Sequence, residues 1–260
     1  SCLLFTISIF FYFGRDLPAF NKLKSYQPPV VSKIFASDGN FLEEYSKENR
    51  VYTSFEKVPE KLVNAFIVTE DTNFYFHQGF DIKGIARAFL KNMSNFFNNK
   101  RPQGASTITQ QVAKNILLTN EVSISRKIKE IILSMRIEKV MTKQKIMELY
   151  LNEIYLGNRS YGVTAASINY FNKSLSELNL QEIAMLAALP KAPSTYNPYR
   201  NPIKAMKRRN WVIKRLYDEG FISQDELEIT TNKQINLREK SNLFKKKASY
   251  FKEAVRREII

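Results

Sequence analysis

The feature that most constrains the fold is the helical spacing of apolar residues through most of the chain after Pro59. Each apolar stretch begins at a residue suited to a helix N-terminus and stops near a glycine, a proline or a turn, which is typical of short, separately capped helices. The pattern predicts helices from Pro59 to Glu70, from Ile82 (after Asp81) to Met93, from Ser125 onward, from Thr142 to Leu156, from Gln181 to Leu189, from Pro202 to Glu219, and from Ser223 through the capping-box residue Glu226. The sequence therefore predicts a mainly α domain, and it shows no internal repeat.

A small β-hairpin is predicted before the helices. Asp38-Gly39 is a hairpin-turn signal, and the segments Val30–Phe35 and Phe41–Tyr45 on either side have the composition of strands. We therefore place a single folded domain, the hairpin followed by the helices, over residues 30–235.

The N-terminal residues 1–14 form a segment of a different kind. The first thirteen residues carry no charge, yet a helix that spans a bilayer needs roughly 20 apolar residues. We interpret residues 1–14 as the end of a truncated transmembrane helix, with the core of a signal peptide as the alternative. Residues 15–29 are predicted to be a polar link, and residues 236–260 the start of a linker to a further domain.

The net charge indicates the kind of partner to expect, and the numbers of cysteine and histidine residues limit the possible cofactors. The chain has 40 Lys and Arg residues against 25 Asp and Glu residues, a net charge of +15. An anionic partner is therefore expected, and nucleic acid, an anionic lipid surface and a phosphorylated substrate all meet that description. Cys2 is the only cysteine and His77 the only histidine, which excludes an intrachain disulfide and a Cys/His metal site.

The segment Glu70–Asp81 is the first candidate for chemistry. Glu70 and Asp71 close an apolar helix, His77 follows within two turns, and Gly79 permits a sharp change of backbone direction. A carboxylate at the end of a buried helix beside such a turn can be held in a cleft with few competing waters. The alternative is that both acids are surface charges and that His77 is a structural histidine, and this segment alone leaves both interpretations open.

Three further polar segments follow along the chain. Gly104–Gln111 supplies hydroxyl and amide side chains at a glycine-entered helix start, which is typical of a ligand-facing helix and also of an ordinary capped one. Arg126 and Glu130 lie one helical turn apart on the same helix face. They could belong to a functional site, or they could form an ordinary surface ion pair. Lys143–Asn152 carries polar residues that could face a substrate or brace a neighbouring helix.

Taken together, these segments offer two separated acids, Glu70 and Glu130, and fixed cations at Lys114, Arg126 and Lys127. A carboxylate base combined with cations that stabilise a phosphate leaving group is what glycosyl transfer from a sugar diphosphate requires. No serine-hydrolase elbow, Walker loop or dinucleotide fingerprint accompanies them.

The four segments, in this order, resemble the motifs of glycosyltransferase family 51, the peptidoglycan glycosyltransferase domain of bifunctional class A penicillin-binding proteins. The motifs Glu-Asp-x-x-Phe-x-x-His-x-Gly, Gly-x-Ser-Thr-Ile-x-Gln-Gln and Arg-Lys-x-x-Glu are matched by Glu70 to Gly79, Gly104 to Gln111, and Arg126 to Glu130. The fourth motif is matched by Lys143 to Asn152, and the fifth by Arg208, Arg209 and Val212. One position departs from the family pattern, because relatives usually carry an arginine where this chain has Val122.

The resemblance implies a lysozyme-like, mainly helical fold. It also implies polymerisation of lipid II, a disaccharide-pentapeptide on undecaprenyl diphosphate, into β-1,4 glycan strands with inversion. Glu70 would be the general base for the acceptor hydroxyl, and Glu130, the second catalytic residue, would support the acceptor or the diphosphate. The residues to which the resemblance gives substrate-binding roles are Asp71, Phe74, His77, Thr107, Gln111, Lys114, Asn115, Arg126 and Lys127.

The resemblance also implies where and with what the protein works. The expected partners are lipid II, the growing glycan strand, the inner membrane and other cell-wall synthesis proteins, with no nucleic acid. The implied location is the bacterial cytoplasmic (inner) membrane, crossed once, with the catalytic domain on the outer, periplasmic side. No cofactor bound by the protein itself is expected, but a divalent cation, Mg²⁺ or Mn²⁺, can accompany the substrate diphosphate.

Two other functions remain as alternatives, and one surface feature is expected in addition. The chain could be a lysozyme-like or lytic enzyme that uses Glu70 as an acid, or a non-enzymatic cationic module at a membrane. For contact with lipid we expect an exposed apolar patch between Phe89 and Leu118, centred on Phe96 and Phe97, with Ile116 and Leu117 either in the patch or in the core.

Overall fold

The computed structural model describes residues 12–15, 17–18, 32–35, 41–45, 49–97, 104–118, 121 and 123–239. Within these ranges the side chains of residues 32–35, 41–45, 49, 95 and 96 are not described. The fold is mainly helical, which confirms the predicted class.

Among the residues that the structure describes, four short strands form two small sheets. β1 (Ser32–Phe35) pairs antiparallel with β2 (Phe41–Tyr45), with an irregularity in register near the end of β1. This confirms the pairing of the predicted hairpin, whose turn at Asp38-Gly39 lies outside the described residues. β3 (Asn49–Arg50) pairs in parallel with β4 (Ser160–Tyr161), which ties the segment before the first helix to the middle of the chain.

The helices follow one another through short connections. In chain order they are α1 (Glu60–Glu70), α2 (Ile82–Phe97), α3 (Ile108–Val112), α4 (Ile124–Val140), α5 (Lys143–Glu153), α6 (Val163–Phe171), α7 (Leu180–Ala188), α8 (Pro202–Asp218) and α9 (Gln224–Asn232). A π-helical turn, Ala113–Leu117, continues α3, and 3-10 turns occur at Phe55–Lys57 and Leu175–Glu177.

Side-chain caps fix several helix starts where the sequence predicts them. Thr142 accepts a hydrogen bond from the Lys145 N–H at the start of α5, and Ser223 forms a capping box with Glu226 at the start of α9. The Asp81 carboxylate accepts from the Gly84 N–H in the first turn of α2. These helices therefore begin where local chemistry satisfies their free backbone N–H groups.

Some predicted boundaries are wrong. Ser125 does not cap α4; Ser123 does, because its Oγ accepts from the Arg126 N–H at 3.1 Å. Both serines suit the capping position, so residue type alone does not distinguish them. α2 continues past Met93 to Phe97. α5 ends at Glu153 instead of Leu156, because the chain folds back there and the Leu156 N–H donates to Ser160 O.

The sequence did not predict α6, whose start is fixed by a glycine. Gly162 has a φ of +81°, and a Cβ at this position would lie 2.6 Å from Asn152 O. Only glycine tolerates both the backbone angle and the contact. The first turns of α6 are rich in Ala, Ser and Thr and carry no clear apolar stripe, which is why its period was not evident.

The core is built around α7, where the residues from Ile183 to Leu189 are buried. α7 packs against α1 and α8, and α3 packs against α4 and α5. Between α1 and α5, Phe66 meets Tyr150 edge to face, with ring centroids 5.9 Å apart. This packing holds the C-terminal end of α1, and with it Glu70, in a fixed position.

Most of the segment expected to be a membrane anchor, residues 1–14, lies outside the described residues. A helical turn at 12–14 is described. Gly14 O accepts from Arg136 Nη2 at 3.3 Å, and Leu17 packs against the core. In the ranges that the structure describes, no helix is both long enough and apolar enough to cross a bilayer.

Candidate active site

Glu70 is the last residue of α1, and its side chain is partly buried. Gln111 Nε2 donates to Glu70 Oε2 at 3.0 Å. Burial raises the pKa of Glu70 above its ordinary value and the neighbouring Asp71 raises it further, whereas the Gln111 hydrogen bond and the charges of Arg208 and Lys191 oppose the rise. A carboxylate with a raised pKa is suited to accept a proton near neutral pH.

Asp71 organises the turn that follows α1. Asp71 Oδ2 accepts from the Ile108 N–H at 2.9 Å and lies 2.9 Å from His77 Nε2. The Gly79 N–H donates to His77 Nδ1 at 3.1 Å. Both contacts fit the neutral imidazole with its proton on Nε2, which then donates to Asp71. The Asp71–His77 pair therefore joins the first polar segment to the start of α3.

Phe74 is fully buried beneath Lys143. Lys143 Nζ lies 4.6 Å from the Phe74 ring centroid and donates to His77 O at 2.7 Å. Asp71 is also buried, and the His77 ring is 7% exposed. The structure thus places Asp71, Phe74 and His77 inside the protein, where they hold the turn beside Glu70. This geometry favours the structural-histidine interpretation, and their contact with substrate stays a prediction.

A hydrogen bond between Thr107 and Gly79 connects the segment after α1 to the start of α3. Gly79 has a φ of +98°, and a Cβ there would lie 2.7 Å from the backbone carbon of Ser134, so the position requires glycine. The buried Thr107 donates through Oγ1 to Gly79 O at 2.7 Å and accepts from the Gln110 N–H at 3.2 Å. Thr107 is therefore the cap of α3, and its predicted role in orienting the donor stays a prediction.

The paired glutamines of α3 point to two parts of the site. Gln111 donates to Glu70, while the buried Gln110 accepts through Oε1 from the Thr107 N–H and from Lys127 Nζ, each at 3.3 Å. The bond between Gln110 and the Thr107 N–H is an ordinary capping box, whereas the contacts of Gln111 with Glu70 and of Gln110 with Lys127 go beyond helix capping. α3 therefore links the candidate base to a cation on α4.

Glu130 lies between two cations on α4. It accepts from Arg126 Nη1 through Oε1 and from Lys127 Nζ through Oε2, the latter at 2.8 Å. Lys127 Nζ also donates to Ser106 Oγ at 2.7 Å. The Glu130 side chain is 3% exposed while Arg126 is 17% and Lys127 43% exposed, so the acid is buried and its two cations reach the surface. Val122, where the family pattern has an arginine, lies outside the described residues.

Lys114 and Asn115 follow α3 in the π-helical turn, and both are exposed. Within the part of the chain that the structure describes, Lys114 has no ion-pair partner. The structure does not bring either residue into contact with Glu70 or Glu130 through a hydrogen bond among the described residues. Lys114 thus keeps its charge free for an anionic ligand.

The fourth polar segment, Lys143–Asn152, forms hydrogen bonds to the loop that precedes α1. Glu148 accepts from the Tyr52 O–H at 2.5 Å and from the Phe55 N–H at 2.8 Å. The Asn152 side chain accepts from the Thr53 N–H at 2.8 Å and donates to Thr53 O at 2.9 Å. Of the two interpretations of Lys143–Asn152, the geometry favours bracing, here of the loop that precedes α1.

Two cations near Glu70 were not among the predicted site residues. The charges of Arg208 and Lys191 both act on Glu70. Arg208 Cζ lies 3.8 Å from the Trp211 ring centroid, which fixes the guanidinium by a cation–π contact. Its neighbour Arg209 is fully buried and donates to the Thr231 and Lys233 carbonyls. The Arg-Arg pair was visible in the sequence, but only the fold shows which arginine faces the acid.

The assembled site can deprotonate a hydroxyl and hold an anionic leaving group. Its parts are one carboxylate with a raised pKa, an amide that orients it, two cations whose charge acts on it (Arg208 and Lys191), and the Arg126–Lys127–Glu130 cluster linked to it through α3. Among the described residues, no three His, Cys, Asp or Glu side chains are grouped so as to hold a metal ion.

Comparison with known proteins identifies the family. A family model described as Transglycosylase matches residues 38–217. Penicillin-binding protein 1A of Rickettsia prowazekii (strain Madrid E) is 47% identical over 255 residues, which cover 98% of this chain and 32% of that protein. Penicillin-binding protein 1A of Escherichia coli (strain K12) is 42% identical over 248 residues, 95% of this chain and 29% of that protein.

A solved structure is similar as well. The crystal structure of penicillin-binding protein 1A from Haemophilus influenzae aligns with a TM-score of 0.55 and 28% identity, covering 90% of this chain and 24% of that one. The chain belongs to the transglycosylase family. It spans about a third of the length of these two relatives, both of which are named penicillin-binding protein 1A.

Proposed function

We propose that this chain is the peptidoglycan glycosyltransferase domain of a bifunctional class A penicillin-binding protein. It polymerises lipid II into β-1,4 glycan strands and releases undecaprenyl diphosphate. The observation that carries the proposal is that the partly buried Glu70 carboxylate is oriented by a hydrogen bond from Gln111. Gln111 lies on the same short helix as Gln110, which accepts a hydrogen bond from Lys127. The family match and the names of the relatives support it.

In the proposed reaction Glu70 accepts the proton of the acceptor sugar's 4-hydroxyl. The oxygen attacks the anomeric carbon of the donor chain with inversion, a carbon–oxygen bond forms, and the bond from that carbon to the diphosphate oxygen breaks. The bonding electrons leave with the diphosphate. The hydrogen bond from Gln111 keeps the Glu70 carboxylate in one orientation for the proton transfer.

The cations stabilise the charge that develops on the diphosphate. Arg126 and Lys127 are held at fixed positions by the buried Glu130, so their geometry is set before substrate binds. Lys114 adds an exposed charge next to α3. Glu130 has both oxygens occupied by these cations, which suits a residue that positions them. A Mg²⁺ or Mn²⁺ ion, where one takes part, is carried by the substrate diphosphate, since phosphate oxygens are preferred ligands of such ions.

We further propose that α2 lies on the outer leaflet of the inner membrane, on the periplasmic side. Its large apolar side chains face solvent, and its cations recur at a spacing of four along one edge. The exposed apolar residues are Ile82, Ile85, Phe89, Leu90, Met93 and Phe97, and the cations are Lys83, Arg87 and Lys91. An exposed apolar stripe with basic residues beside it is typical of a helix lying in the interface of an anionic membrane.

This surface differs in part from the patch predicted from the sequence. Phe97 is 81% exposed, as expected, but it ends a helix and does not lie in a polar loop. Ile116, Leu117 and Leu118 are only half-exposed and pack against the core, so the patch lies along α2 and extends back to Ile82. The side chain of Phe96 lies outside the described residues.

The test of the proposed function is the product formed when the purified chain meets lipid II in detergent. We expect long glycan strands that a muramidase digests, together with released undecaprenyl diphosphate. Shortening of preformed glycan without polymer would mean a lytic enzyme, and binding without any chemical change would mean a cationic module. Either of these results overturns the proposal.

A further inference from the structure

A cavity of about 820 Å³ lies between the turn after α1 and the C-terminal half of α4. This volume is in the range of small-molecule binding sites. Its lining includes four large apolar side chains and two lysines: Phe76, Phe80, Ile82 and Met135 with Lys83 and Lys139. Neither Glu70 nor Glu130 lines the cavity, but it borders the candidate active site at His77.

The cations of this cavity outnumber its uncompensated acids. Glu138 is paired with Lys143 Nζ at 2.7 Å and accepts from Thr109 Oγ1 at 2.6 Å, while Asp81, which accepts from the neutral Asn73 amide at 2.9 Å, keeps its negative charge. The two lysines are exposed, and within the described ranges neither has an ion-pair partner. A ligand in the cavity therefore meets two free ammonium groups and one carboxylate, which leaves a net positive charge.

The apolar wall of the cavity continues onto the surface proposed to face the membrane. Phe76 is 87% exposed, and Ile82, 68% exposed, both lines the cavity and begins the apolar stripe of α2. Met135 lines the other wall, and the next residue, Arg136, donates to Gly14 O outside the lining, so the end of the uncharged N-terminal segment lies against the same helix. The cavity thus combines a cationic rim with apolar surface that leads out along α2.

We propose that this cavity binds an anionic membrane phospholipid, with the phosphate headgroup between Lys83 and Lys139. The acyl chains follow Phe76 and Ile82 onto the apolar face of α2. A cation pair beside apolar surface recognises an amphiphile with a negative head, which neither a soluble anion nor a neutral lipid matches. The inference rests on the proposed membrane contact of α2, and it is independent of glycosyl transfer.

The test is site-specific photocrosslinking. The chain is bound to phosphatidylcholine vesicles that contain a photoactivatable phosphatidylglycerol, and the adducts are mapped by mass spectrometry. We expect adducts in the peptides that carry residues 76–83 and 135–139. Since each lysine at a membrane surface contributes roughly fivefold to binding, the variant Lys83→Gln with Lys139→Gln should reduce these adducts at least about tenfold.

The matched control is Lys57→Gln with Lys204→Gln, two exposed lysines outside the cavity lining whose loss changes the net charge equally. This variant should keep the adducts. Adducts that survive loss of Lys83 and Lys139, or that fall equally in the control, mean adsorption by net charge and overturn the proposal. Adducts that form as well with a photoactivatable phosphatidylcholine also overturn it.

A second measurement separates this proposal from the proposed enzyme function. The Lys83/Lys139 variant should polymerise lipid II normally in detergent without phospholipid, which also shows that it is folded. Glu70→Gln should lose polymerisation but keep the phosphatidylglycerol adducts. If the lysine variant loses polymerisation in detergent, the cavity serves the polyprenyl substrate and the phospholipid assignment is overturned.

Discussion

Gln111 Nε2 donates to Glu70 Oε2 at 3.0 Å, and the adjacent Gln110 accepts from Lys127 at 3.3 Å. Both contacts come from α3, a helix of five residues. A single short element therefore sets the position of the proposed base and of one proposed diphosphate ligand. Any change that displaces α3 should alter proton abstraction and leaving-group stabilisation together.

Removing the hydrogen bond to Glu70 should shift the pH dependence of catalysis. The Gln111 amide stabilises the ionised carboxylate and so opposes the rise in the pKa of Glu70. In Gln111→Leu this pKa rises further, and the acidic limb of the rate profile moves to higher pH. Rates of lipid II polymerisation across the pH range measure this shift. Gln144→Leu, at an exposed position on α5, should leave the limb in place. An unchanged limb in the Gln111 variant would remove Gln111 from the account.

Asp71 should matter for stability more than for binding. Asp71→Ala leaves the buried Ile108 N–H and the His77 ring without their acceptor, and an unsatisfied buried donor costs about 1–3 kcal/mol. Urea unfolding measures the loss. Asp218→Ala breaks only a surface ion pair with Lys214, so it should cost less than about 1 kcal/mol. Normal stability of Asp71→Ala with a large rise in KM would instead show that Asp71 contacts substrate.

Glu130 should position cations without being the titrating base. Glu130→Gln leaves the partly exposed Arg126 and Lys127 without their counter-charge, which should lower the free energy of unfolding by about 1–3 kcal/mol and reduce polymerisation. The acidic limb of the remaining activity should stay as in the parent, because Glu70 still titrates. Loss of that limb in a folded Glu130→Gln protein would assign the base to Glu130.

The exposed face of α2 should carry part of the membrane affinity. Phe89→Ser with Phe97→Ser removes two exposed aromatic rings, and at about 1.5–3 kcal/mol for each buried ring the affinity for anionic vesicles should fall at least about 10²-fold. Vesicle co-sedimentation measures it. Ile203→Ser with Phe221→Ser, exposed apolar residues on and just after α8, is the control and should bind as the parent does. Equal binding by the α2 variant would show that this face does not meet lipid.

The sequence predicted those helices and strands whose ends are determined by residues close together in the chain. Helix starts at Asp81, Thr142 and Ser223 followed from capping chemistry, and the start at Pro59 from the preference of proline for the first turn. The hairpin pairing followed from its turn residues. The start of α4 and the whole of α6 were missed for an equally local reason. Ser-Ile-Ser offers two possible caps, and a helix rich in small residues shows little apolar periodicity.

The sequence predicted the kinds of residue that form the candidate site, but it predicted few of the contacts between their side chains. Glu70 and Gln111 lie 41 positions apart, and no spacing rule shows that their side chains meet. Burial is likewise a property of the tertiary structure. It distinguishes Asp71, Phe74 and His77, which lie inside, from Lys114, which is exposed, although all four are candidate substrate-binding residues. The role of Arg208 emerges only when α8 packs beside α1.

The central claim, that Glu70 is the general base of glycosyl transfer, is tested most directly by lipid II polymerisation with Glu70→Gln. Because the pKa of Glu70 is raised in the folded state, its ionisation at neutral pH costs stability, so the variant should be at least as stable as the parent. We predict at least roughly a 10²-fold loss of polymerisation, while Glu56→Gln, at an exposed position, stays fully active. A folded Glu70→Gln protein that makes glycan strands at a near-normal rate would contradict the account.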